Sequence, residues 1–417
     1  MNILLTGAIS LSNKGTAAIV VSVITQLRET FPNSEIYVEL FYPEKQREII
    51  DLEKEYSVSV VAPPLQSPIK ALTSFSASLL IMFFRKLGLP LSLKVLRNHY
   101  VNADVIVEIG AEGFVKFYEE SFIQASLRFL LHLYPIFMGL LLGKPIVLLA
   151  QSLGPFGAFK PIMKFVINKS LLTTVRDPTS IEILKKEGLD VSKIYLTADP
   201  AFLLNAASDS RVSAILRSEG IDPTVFKRRS VVGMCMGKIL PEQQHKRLIK
   251  VFAEVADYLI EKYNAVVIFI PHSSGKIQRA SNDVLVGIEI MRSVRNKKNF
   301  YLIKGDYTPQ EIKGIIGKLD CLITLRMHPA IFASSMKVPC VIIAFNPKAY
   351  GLMRMLKLND NVVHINDVQI ELLINRVINC LRNSQQIKCS LDKVIPLISK
   401  KVSLNMQLLR RRILNEK

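Results

Sequence analysis

Short apolar runs rich in β-branched residues recur along the chain and alternate with segments of helical periodicity. In the first half these runs predict strands at residues 3–6, 36–41, 58–61, 105–109, 146–150 and 173–175. Between the first two runs, residues 16–31 carry apolar side chains at helical spacing. Strands that are apolar throughout are typical of parallel sheets covered on both faces. The pattern therefore predicts a βαβ domain.

The second half repeats this alternation. Its predicted strands are residues 231–236, 266–270, 300–303, 321–324 and 341–344, and its clearest helices are residues 245–263 and 309–317. Between the halves, residues 205–229 are polar and contain Gly220 and Pro223, which is typical of a domain boundary. The predicted organisation is an N-terminal domain, a C-terminal domain and a basic helical tail, at residues 1–205, 206–367 and 368–417.

Length and composition agree with this architecture. A chain of 417 residues exceeds what one hydrophobic core usually serves, and 49% of the residues are apolar. The predicted fold class is α/β, with two Rossmann-like domains facing a cleft. Open α/β sheets bind ligands beyond the carboxyl ends of their strands, so we expect functional residues to follow strands directly.

The chain is strongly basic, with 54 Lys and Arg residues against 35 Asp and Glu residues and a formal net charge of +19. This charge favours anionic partners such as phosphorylated metabolites, anionic lipids or nucleic acid. Nucleic acid is not expected, because the sequence has neither a recognisable binding module nor a dense basic stripe with interleaved aromatic residues. The five cysteines are scattered and odd in number, which indicates neither a disulfide framework nor a metal site.

The N-terminus and two apolar segments bear on localisation. Met1 leads directly into a predicted strand rather than into a charged leader, so we expect a cytoplasmic protein. Residues 74–96 and 127–142 are unusually apolar, but neither offers the roughly 18 uninterrupted apolar residues of a spanning helix. They predict either two core helices or a surface that rests on the inner face of the membrane. The basic residues flanking them are Arg97, Arg128 and Lys144.

The most informative stretch is residues 320–339, a predicted strand followed at once by a predicted helix. Arg326 and His328 lie where the strand ends and the helix begins. Arginine can bind a carboxylate or phosphate through two parallel hydrogen bonds, and a helix N-terminus adds partial positive charge. Histidine can transfer a proton near neutral pH. The pair suits an anionic substrate that undergoes proton transfer; alternatively, Arg326 forms a structural salt bridge and His328 caps the helix.

Two further candidates in the second half also follow strands. His272 comes directly after residues 266–270 and would approach the same cleft, although a lone histidine there is more often structural. Lys348 follows the strand at residues 341–344 and could reach a phosphate, whereas an isolated lysine is more typical of a solvated surface.

The first predicted strand ends in a glycine-containing turn. Asn13 and Gly15 in this turn precede a helix, and the backbone amides there could approach a ligand closely. The turn lacks the spacing of a dinucleotide site, and no Gly-x-x-x-x-Gly-Lys-Ser/Thr loop occurs in the sequence. Neither a nicotinamide cofactor nor ATP is therefore expected.

Three more polar residues follow strands of the first half. Glu112 lies among glycines after residues 105–109, where it could act as a base towards a sugar hydroxyl or cap a helix. Ser152 offers a polar group at the same edge of the sheet. Arg176 could bind an anion or form an architectural pair with Asp177.

Taken in order, these segments resemble the polysaccharide pyruvyl transferase family. The resemblance covers residues 1–355 and depends on eight short segments. They are Asn13-Lys-Gly15, Gln151-Ser-Leu-Gly-Pro-Phe156, Val175-Arg-Asp177, Ala198-Asp-Pro-Ala-Phe202, Pro271-His-Ser273, Tyr307-Thr-Pro-Gln-Glu311, Leu325-Arg-Met-His328 and Pro347-Lys348. One such segment would be weak evidence, whereas eight in the expected order are strong evidence for the family. They are weaker evidence for which molecule accepts the transferred group.

The resemblance implies a GT-B-like arrangement, with the acceptor on the N-terminal side and phosphoenolpyruvate on the C-terminal side. It implies a sugar of a surface polysaccharide, or of its lipid-linked precursor, as the acceptor, and a pyruvate ketal as the product. Arg326 would bind the phosphate or carboxylate of the donor, and His328 would act as general acid or base. His272 and Lys348 would line the same cleft. Gly110-Ala-Glu112 departs from the family pattern, because many relatives carry Gly-Gly-Asp or a similar sequence there. The resemblance therefore supports Glu112 as the base for the acceptor less directly than it supports Arg326 and His328.

The implied reaction fits these residue types. Protonation of the enol carbon of phosphoenolpyruvate creates a cationic centre at C2; one sugar hydroxyl attacks it, and a second later displaces phosphate and closes the ketal. This chemistry needs an acid, a base and groups that bind two anionic moieties, without a cofactor or a metal. Two alternatives remain: a GT-B glycosyltransferase with a nucleotide-sugar donor, and a non-catalytic protein that binds an anionic glycolipid.

Overall fold

A computed structural model describes residues 1–41, 46–63, 99–115, 120–275 and 282–415. The chain divides into two compact units. Unit 1 comprises Met1–Leu11, Ile19–Pro200 and Lys401–Lys417, and unit 2 comprises Ser12–Ala18 and Ala201–Lys400. Each unit has its own parallel sheet, so the predicted fold class of two Rossmann-like α/β domains is confirmed.

The sheet of unit 1 has almost completely buried strands in its centre and partly exposed strands at its two edges. The strands are β1 (Asn2–Ala8), β2 (Glu35–Leu40), β3 (Ser59–Val61), β4 (Val105–Glu108), β5 (Ile146–Gln151), β6 (Leu172–Val175) and β7 (Ile194–Leu196). Their order is β3-β2-β1-β4-β5-β6-β7, and every pair is parallel. In the centre, Ile3 is in register with Ile36 on one side and Val105 on the other. Burial on both faces explains why these strands lack an alternating polar pattern.

Helices connect the strands of unit 1. They are α1 (Lys14–Thr30), α2 (Gln46–Tyr56), α3 (His99–Asn102), α4 (Phe122–Leu141), α5 (Lys160–Lys169) and α6 (Pro178–Lys186). The first residues of α1, up to Ala18, belong to unit 2. Ser121 and Gln124 form a capping box at the start of α4, and the Asp177 side chain accepts a hydrogen bond from Ser180 N at the start of α6.

Unit 2 repeats the architecture. Its strands are β8 (Val231–Cys235), β9 (Val266–Phe269), β10 (Phe300–Leu302), β11 (Cys321–Thr324), β12 (Cys340–Ala344) and β13 (Val362–His364), in the order β10-β9-β8-β11-β12-β13. Its helices are α7 (Asp209–Ser218), α8 (Val225–Arg228), α9 (Glu242–Tyr263), α10 (Asp283–Ser293), α11 (Pro309–Ile316), α12 (Met327–Ser335), α13 (Pro347–Met355), α14 (Ile370–Arg382) and α15 (Ser384–Asn415). Across the two units, short 3-10 helices lie at Gly157–Phe159, Pro200–Leu203, Lys297–Asn299, Asn359–Asn361 and Ile365–Asp367.

The units divide at other positions than the boundaries expected at residues 205 and 367. The polar segment 205–229 contains α7 and α8, and the division falls after Pro200 instead. The tail is helical, but most of α15 belongs to unit 2, and its end belongs to unit 1. There, Asn405 accepts a hydrogen bond of 2.7 Å from the Thr174 hydroxyl, which a boundary based on polarity does not reveal.

Of the two apolar segments, the structure describes only the second. Residues 74–96 lie outside the described part of the chain. Residues 127–142 fall mostly within α4, whose inner side packs in the core of unit 1 through residues such as Phe129 and Leu133. Among the described helices, α4 is the one that is long and apolar enough to cross a membrane, and half of it is buried within the protein.

Candidate functional site

Arg326 lies between β11 and α12 and is held by a buried carboxylate. Its Nη2 atom donates a hydrogen bond of 2.7 Å to Oδ1 of Asp283. The second oxygen, Oδ2, accepts hydrogen bonds of 3.0 Å from the backbone N–H groups of His272 and Ser273. Burial raises the pKa of Asp283, and the charge of Arg326 opposes this shift. One carboxylate thus fixes the guanidinium relative to the loop after β9, while 12% of the Arg326 side chain stays exposed.

The end of β8 leaves room for the guanidinium. Gly237 follows β8, which pairs directly with β11. A Cβ atom on Gly237 would lie 2.3 Å from Nη2 of Arg326 and 2.6 Å from Nε. A larger residue at position 237 would therefore displace Arg326, and no spacing rule in the sequence marks this glycine.

His272 and His328 stack against each other. Their ring centroids are 6.1 Å apart with an interplanar angle of 13°, and the edge of Phe332 packs against His272 at 5.4 Å. His328 is half-buried in the first turn of α12, whereas His272 is 1% exposed. Neither ring nitrogen of His272 has a hydrogen-bond partner among the described residues. Two unsatisfied ring nitrogens in a buried position favour a ligand-binding role.

Burial, reinforced by the positive charges of His328, Arg326 and Lys14, lowers the pKa of His272 well below 6.5. His272 is therefore neutral in the folded protein at neutral pH. A neutral imidazole can donate one hydrogen bond and accept another, which suits a protonated phosphate or a hydroxyl group.

The neutral state of His272 makes stability depend on pH. Below about pH 6.5 the unfolded chain binds a proton at His272 that the folded protein does not bind. His272 therefore leaves the free energy of unfolding unchanged above that pH and lowers it as the pH falls. We expect the free energy of unfolding to fall by up to about 1.4 kcal/mol per pH unit below that value because of this group. Urea titrations at pH 7.5 and 5.5 should show a smaller pH effect in His272→Gln; an equal effect in both proteins would contradict the assignment.

The segment before α1 docks on the loop that carries His272. The backbone N–H of Lys14 donates a hydrogen bond of 2.9 Å to the His272 carbonyl. Asn13 and Ser273 form an isolated antiparallel β-bridge. The Nζ atom of Lys14 lies 2.7 Å from Oδ1 of Asp306, so this buried ammonium is paired. Residues 12–18 thereby belong to unit 2, although they directly follow the first strand of unit 1.

Gly15 is in close contact with His328. A Cβ atom on Gly15 would lie 2.2 Å from Nδ1 of His328. The Asn13 side chain accepts a hydrogen bond of 2.9 Å from the Gly15 N–H and so caps the helix. The structure therefore brings Asn13 and Gly15 together with His272 and His328.

Gly15→Ala tests this close contact through the sign of its effect. In the first turn of an unconstrained helix, the change from glycine to alanine stabilises by about 0.5–1 kcal/mol. We expect destabilisation instead, because the added methyl group must push the His328 ring aside. Urea denaturation of Gly15→Ala, with Thr16→Ala as the neighbouring control, measures the effect. A Gly15→Ala protein more stable than the parent would show that the contact is absent.

Lys348 occupies the first turn of α13, which follows β12. Because β12 pairs with β11, Lys348 and Arg326 both follow adjacent parallel strands of unit 2. Its side chain is buried, so Lys348 is not the solvated surface charge that an isolated lysine would suggest.

Glu112, Ser152 and Arg176 form a second cluster, within unit 1. Arg176 donates from Nε to the Ser152 hydroxyl at 2.9 Å and from Nη2 to Oε1 of Glu112 at 3.3 Å, and it forms an ion pair with Asp199. The Arg176 guanidinium is buried, and the Glu112 carboxylate is partly exposed. The internal contacts make Arg176 an architectural residue that positions Glu112, and the exposed carboxylate of Glu112 can still accept a proton from a bound hydroxyl.

Glu108 and His132 form a buried pair beneath the Glu112 loop that the sequence analysis did not predict. Glu108 accepts a hydrogen bond of 2.8 Å from Thr6 and lies 2.8 Å from Nδ1 of His132. The loop closes tightly over this pair, since a Cβ atom on Gly113 would lie 2.5 Å from the His132 ring. The sequence carries one signal for this pair: Glu108 and His132 are ionisable residues within the largely apolar runs 105–109 and 127–142. Within the described ranges, no group of three or more His, Cys, Asp or Glu residues could hold a metal ion.

Comparisons with known proteins agree on one class of protein. Residues 13–347 match the family model described as polysaccharide pyruvyl transferase. The chain is also 24% identical, over 420 residues and 95% of each sequence, to the amylovoran biosynthesis protein AmsJ of Erwinia amylovora.

Solved structures share the fold. S. aureus MnaA in its complex with UDP gives a TM-score of 0.59 at 9% identity, covering 94% of this chain and 91% of that one. The UDP-GlcNAc 2-epimerase of Neisseria meningitidis, bound to UDP-GlcNAc, gives a TM-score of 0.57 at 10% identity and covers both chains completely. These proteins have the GT-B fold that the sequence predicted.

Proposed function

Because the chain belongs to the polysaccharide pyruvyl transferase family, we propose that it transfers pyruvate from phosphoenolpyruvate to two hydroxyl groups of one sugar. The acceptor is a sugar of a surface polysaccharide or of its lipid-linked precursor, and the product is a ketal. Similarity to AmsJ, a protein of amylovoran biosynthesis, supports a polysaccharide pathway. We place the reaction in the cytoplasm, at the inner face of the membrane.

The observation that carries this proposal is the grouping of Arg326, His328 and His272 at the carboxyl ends of β9 and β11. Phosphoenolpyruvate carries a phosphate and a carboxylate. The guanidinium of Arg326, oriented by Asp283, binds one of these groups through charge-assisted hydrogen bonds. His272, which is neutral and whose ring nitrogens have no partner in the described part of the chain, adds a directed hydrogen bond.

His328 is the group that moves the proton. It delivers a proton to C3 of phosphoenolpyruvate, which becomes the methyl group, and C2 becomes electron-poor. One sugar hydroxyl forms the first C2–O bond and loses its proton. The second hydroxyl then forms the other C2–O bond as the bond between C2 and the phosphate oxygen breaks. Inorganic phosphate leaves with one hydroxyl proton, and the other proton restores the acid.

Glu112 is the proposed base for the acceptor: it takes the proton of one hydroxyl and passes it to the departing phosphate. Its carboxylate is partly exposed, and Arg176, fixed by Asp199 and Ser152, orients it. Lys348 is the proposed second cation for the donor, because it is buried in a helix that begins beside the strand end of Arg326.

The donor distinguishes this proposal from its rivals. The protein is incubated with glycan intermediates extracted from the host and either ¹⁴C-phosphoenolpyruvate or labelled nucleotide sugars. We expect label to enter the glycan from phosphoenolpyruvate alone. Label entering only from a nucleotide sugar would establish a glycosyltransferase instead, a rival that the UDP-bound fold relatives make worth testing. Glycolipid binding that weakens in Arg326→Ala, with no turnover of any donor, would establish a binding protein.

A further inference from the structure

An exposed apolar surface lies on unit 1, on the outer side of α4 and α5. Its large side chains are between 40% and 71% exposed, and we call this surface the apolar face. It consists of Phe122, Ile123, Leu127, Leu130, Ile162 and Phe165. The first four lie within a single arc of α4, and the last two are on α5, so the exposure is not scattered.

Aromatic contacts hold α4 and α5 side by side. The ring of Phe159, just before α5, stacks on Phe129 at 4.2 Å and on Phe122 at 6.0 Å. Further along, Phe165 of α5 stacks on Phe137 of α4 at 6.5 Å. The exposed side chains of both helices therefore form one continuous surface.

The surroundings of the apolar face are positively charged. Lys160, Lys164 and Lys169 are exposed on α5, and residues 121–176 contain no Asp or Glu. Arg128, which the sequence suggested for this purpose, instead forms an ion pair with Glu120 and donates a hydrogen bond of 2.7 Å to the Gly113 carbonyl. The lysines of α5 therefore provide the positive rim.

An apolar surface bordered by the exposed lysines of α5, on two helices that contain no Asp or Glu, matches the chemistry of an anionic bilayer. A helix that crossed the membrane would have to withdraw Phe129 and Leu133 from the core of unit 1, whereas a peripheral contact leaves them in place. We propose that the apolar face rests on a membrane of anionic phospholipids, with its six side chains at the level of the acyl chains and the lysines among the headgroups. This proposal does not depend on the donor or on the reaction.

Vesicle flotation with the full chain tests the proposal. We expect the protein to float with vesicles of phosphatidylcholine containing 30% phosphatidylglycerol and to bind pure phosphatidylcholine at least about tenfold less well. Leu127→Ser/Leu130→Ser should reduce the partition coefficient at least about tenfold, because it removes two apolar side chains from the contact. Lys160→Ser/Lys164→Ser should reduce binding to the anionic vesicles by about tenfold, with an effect that disappears at high salt.

Matched controls come from unit 2. Leu397→Ser replaces a leucine that is 58% exposed, against 59% for Leu127, and Lys246→Ser/Lys250→Ser removes another exposed pair at helical spacing. Both should bind as the parent does, and all variants should keep the parental circular dichroism and melting temperature. Absence of flotation, or equal losses in variants and controls, would overturn the proposal. A dimer in sedimentation that dissociates in Leu127→Ser/Leu130→Ser would overturn it too, since a second copy would then cover the face.

Discussion

Ketal formation by His328→Ala should be about 10²–10⁴-fold slower than by the parent protein, because general acid–base catalysis contributes by that order. His328 is half-buried, stacks on His272 and contacts Gly15, so the structure fixes its ring at the end of β11. Phosphate release and ketal content, measured by mass spectrometry of the glycan product, would both report the loss. Binding of phosphoenolpyruvate should weaken far less than the rate.

An exposed histidine of the same unit provides the control. His364 ends β13 and is exposed, and its Nδ1 atom accepts a hydrogen bond from the neighbouring Asn366 N–H. We expect His364→Ala to retain parental activity and His328→Ala to retain the parental circular dichroism. Ketal formation near the parental rate in His328→Ala would exclude a proton-transfer role for this residue.

The second large effect concerns Asp283. We expect Asp283→Ala to lower the free energy of unfolding by about 3–5 kcal/mol, because it removes the carboxylate that accepts from Arg326 Nη2 and from two buried N–H groups. Urea denaturation measures this cost. Asp320→Ala removes an acceptor for one N–H, that of Val231, and should cost only about 1 kcal/mol.

A double-mutant cycle separates the ion pair from the backbone contacts. Arg326→Met combined with Asp283→Ala should cost less than the sum of the single changes, since both charges are removed together. Additive costs would show that Arg326 and Asp283 do not stabilise each other, and Asp283 would then not be the residue that orients the guanidinium.

The sequence predicts the central strands and the edge strands β3 and β10, but not the edge strands β7 and β13. Strands such as β1 and β11 are continuous apolar runs because helices cover both faces, and that signal is local. By contrast, the apolar runs of β7 and β13 cover only residues 194–196 and 362–363, which is too short to stand out from the neighbouring polar residues. The polar segment 205–229 has the composition of a domain boundary because α7 buries only one side.

Site residues divide in the same way. Arg326, His328 and His272 could be predicted, because each directly follows a strand and has side-chain chemistry that suits an anionic ligand. Asp283 could not, since it begins a helix and acts through contacts with residues distant in sequence. Docking of residues 12–15 on the His272 loop likewise depends on tertiary hydrogen bonds that no local pattern encodes.

The fate of the donor atoms tests the central claim most directly. The protein is incubated in ²H₂O with [2-¹³C]phosphoenolpyruvate and the host's glycan intermediates, and the product is examined by NMR. The proposed mechanism predicts ¹³C in a ketal carbon bonded to two oxygens of one sugar, beside a methyl group that carries one solvent deuterium. A product in which the labelled carbon keeps its enol double bond, or a glycan with no ¹³C despite consumption of a nucleotide sugar, would contradict it.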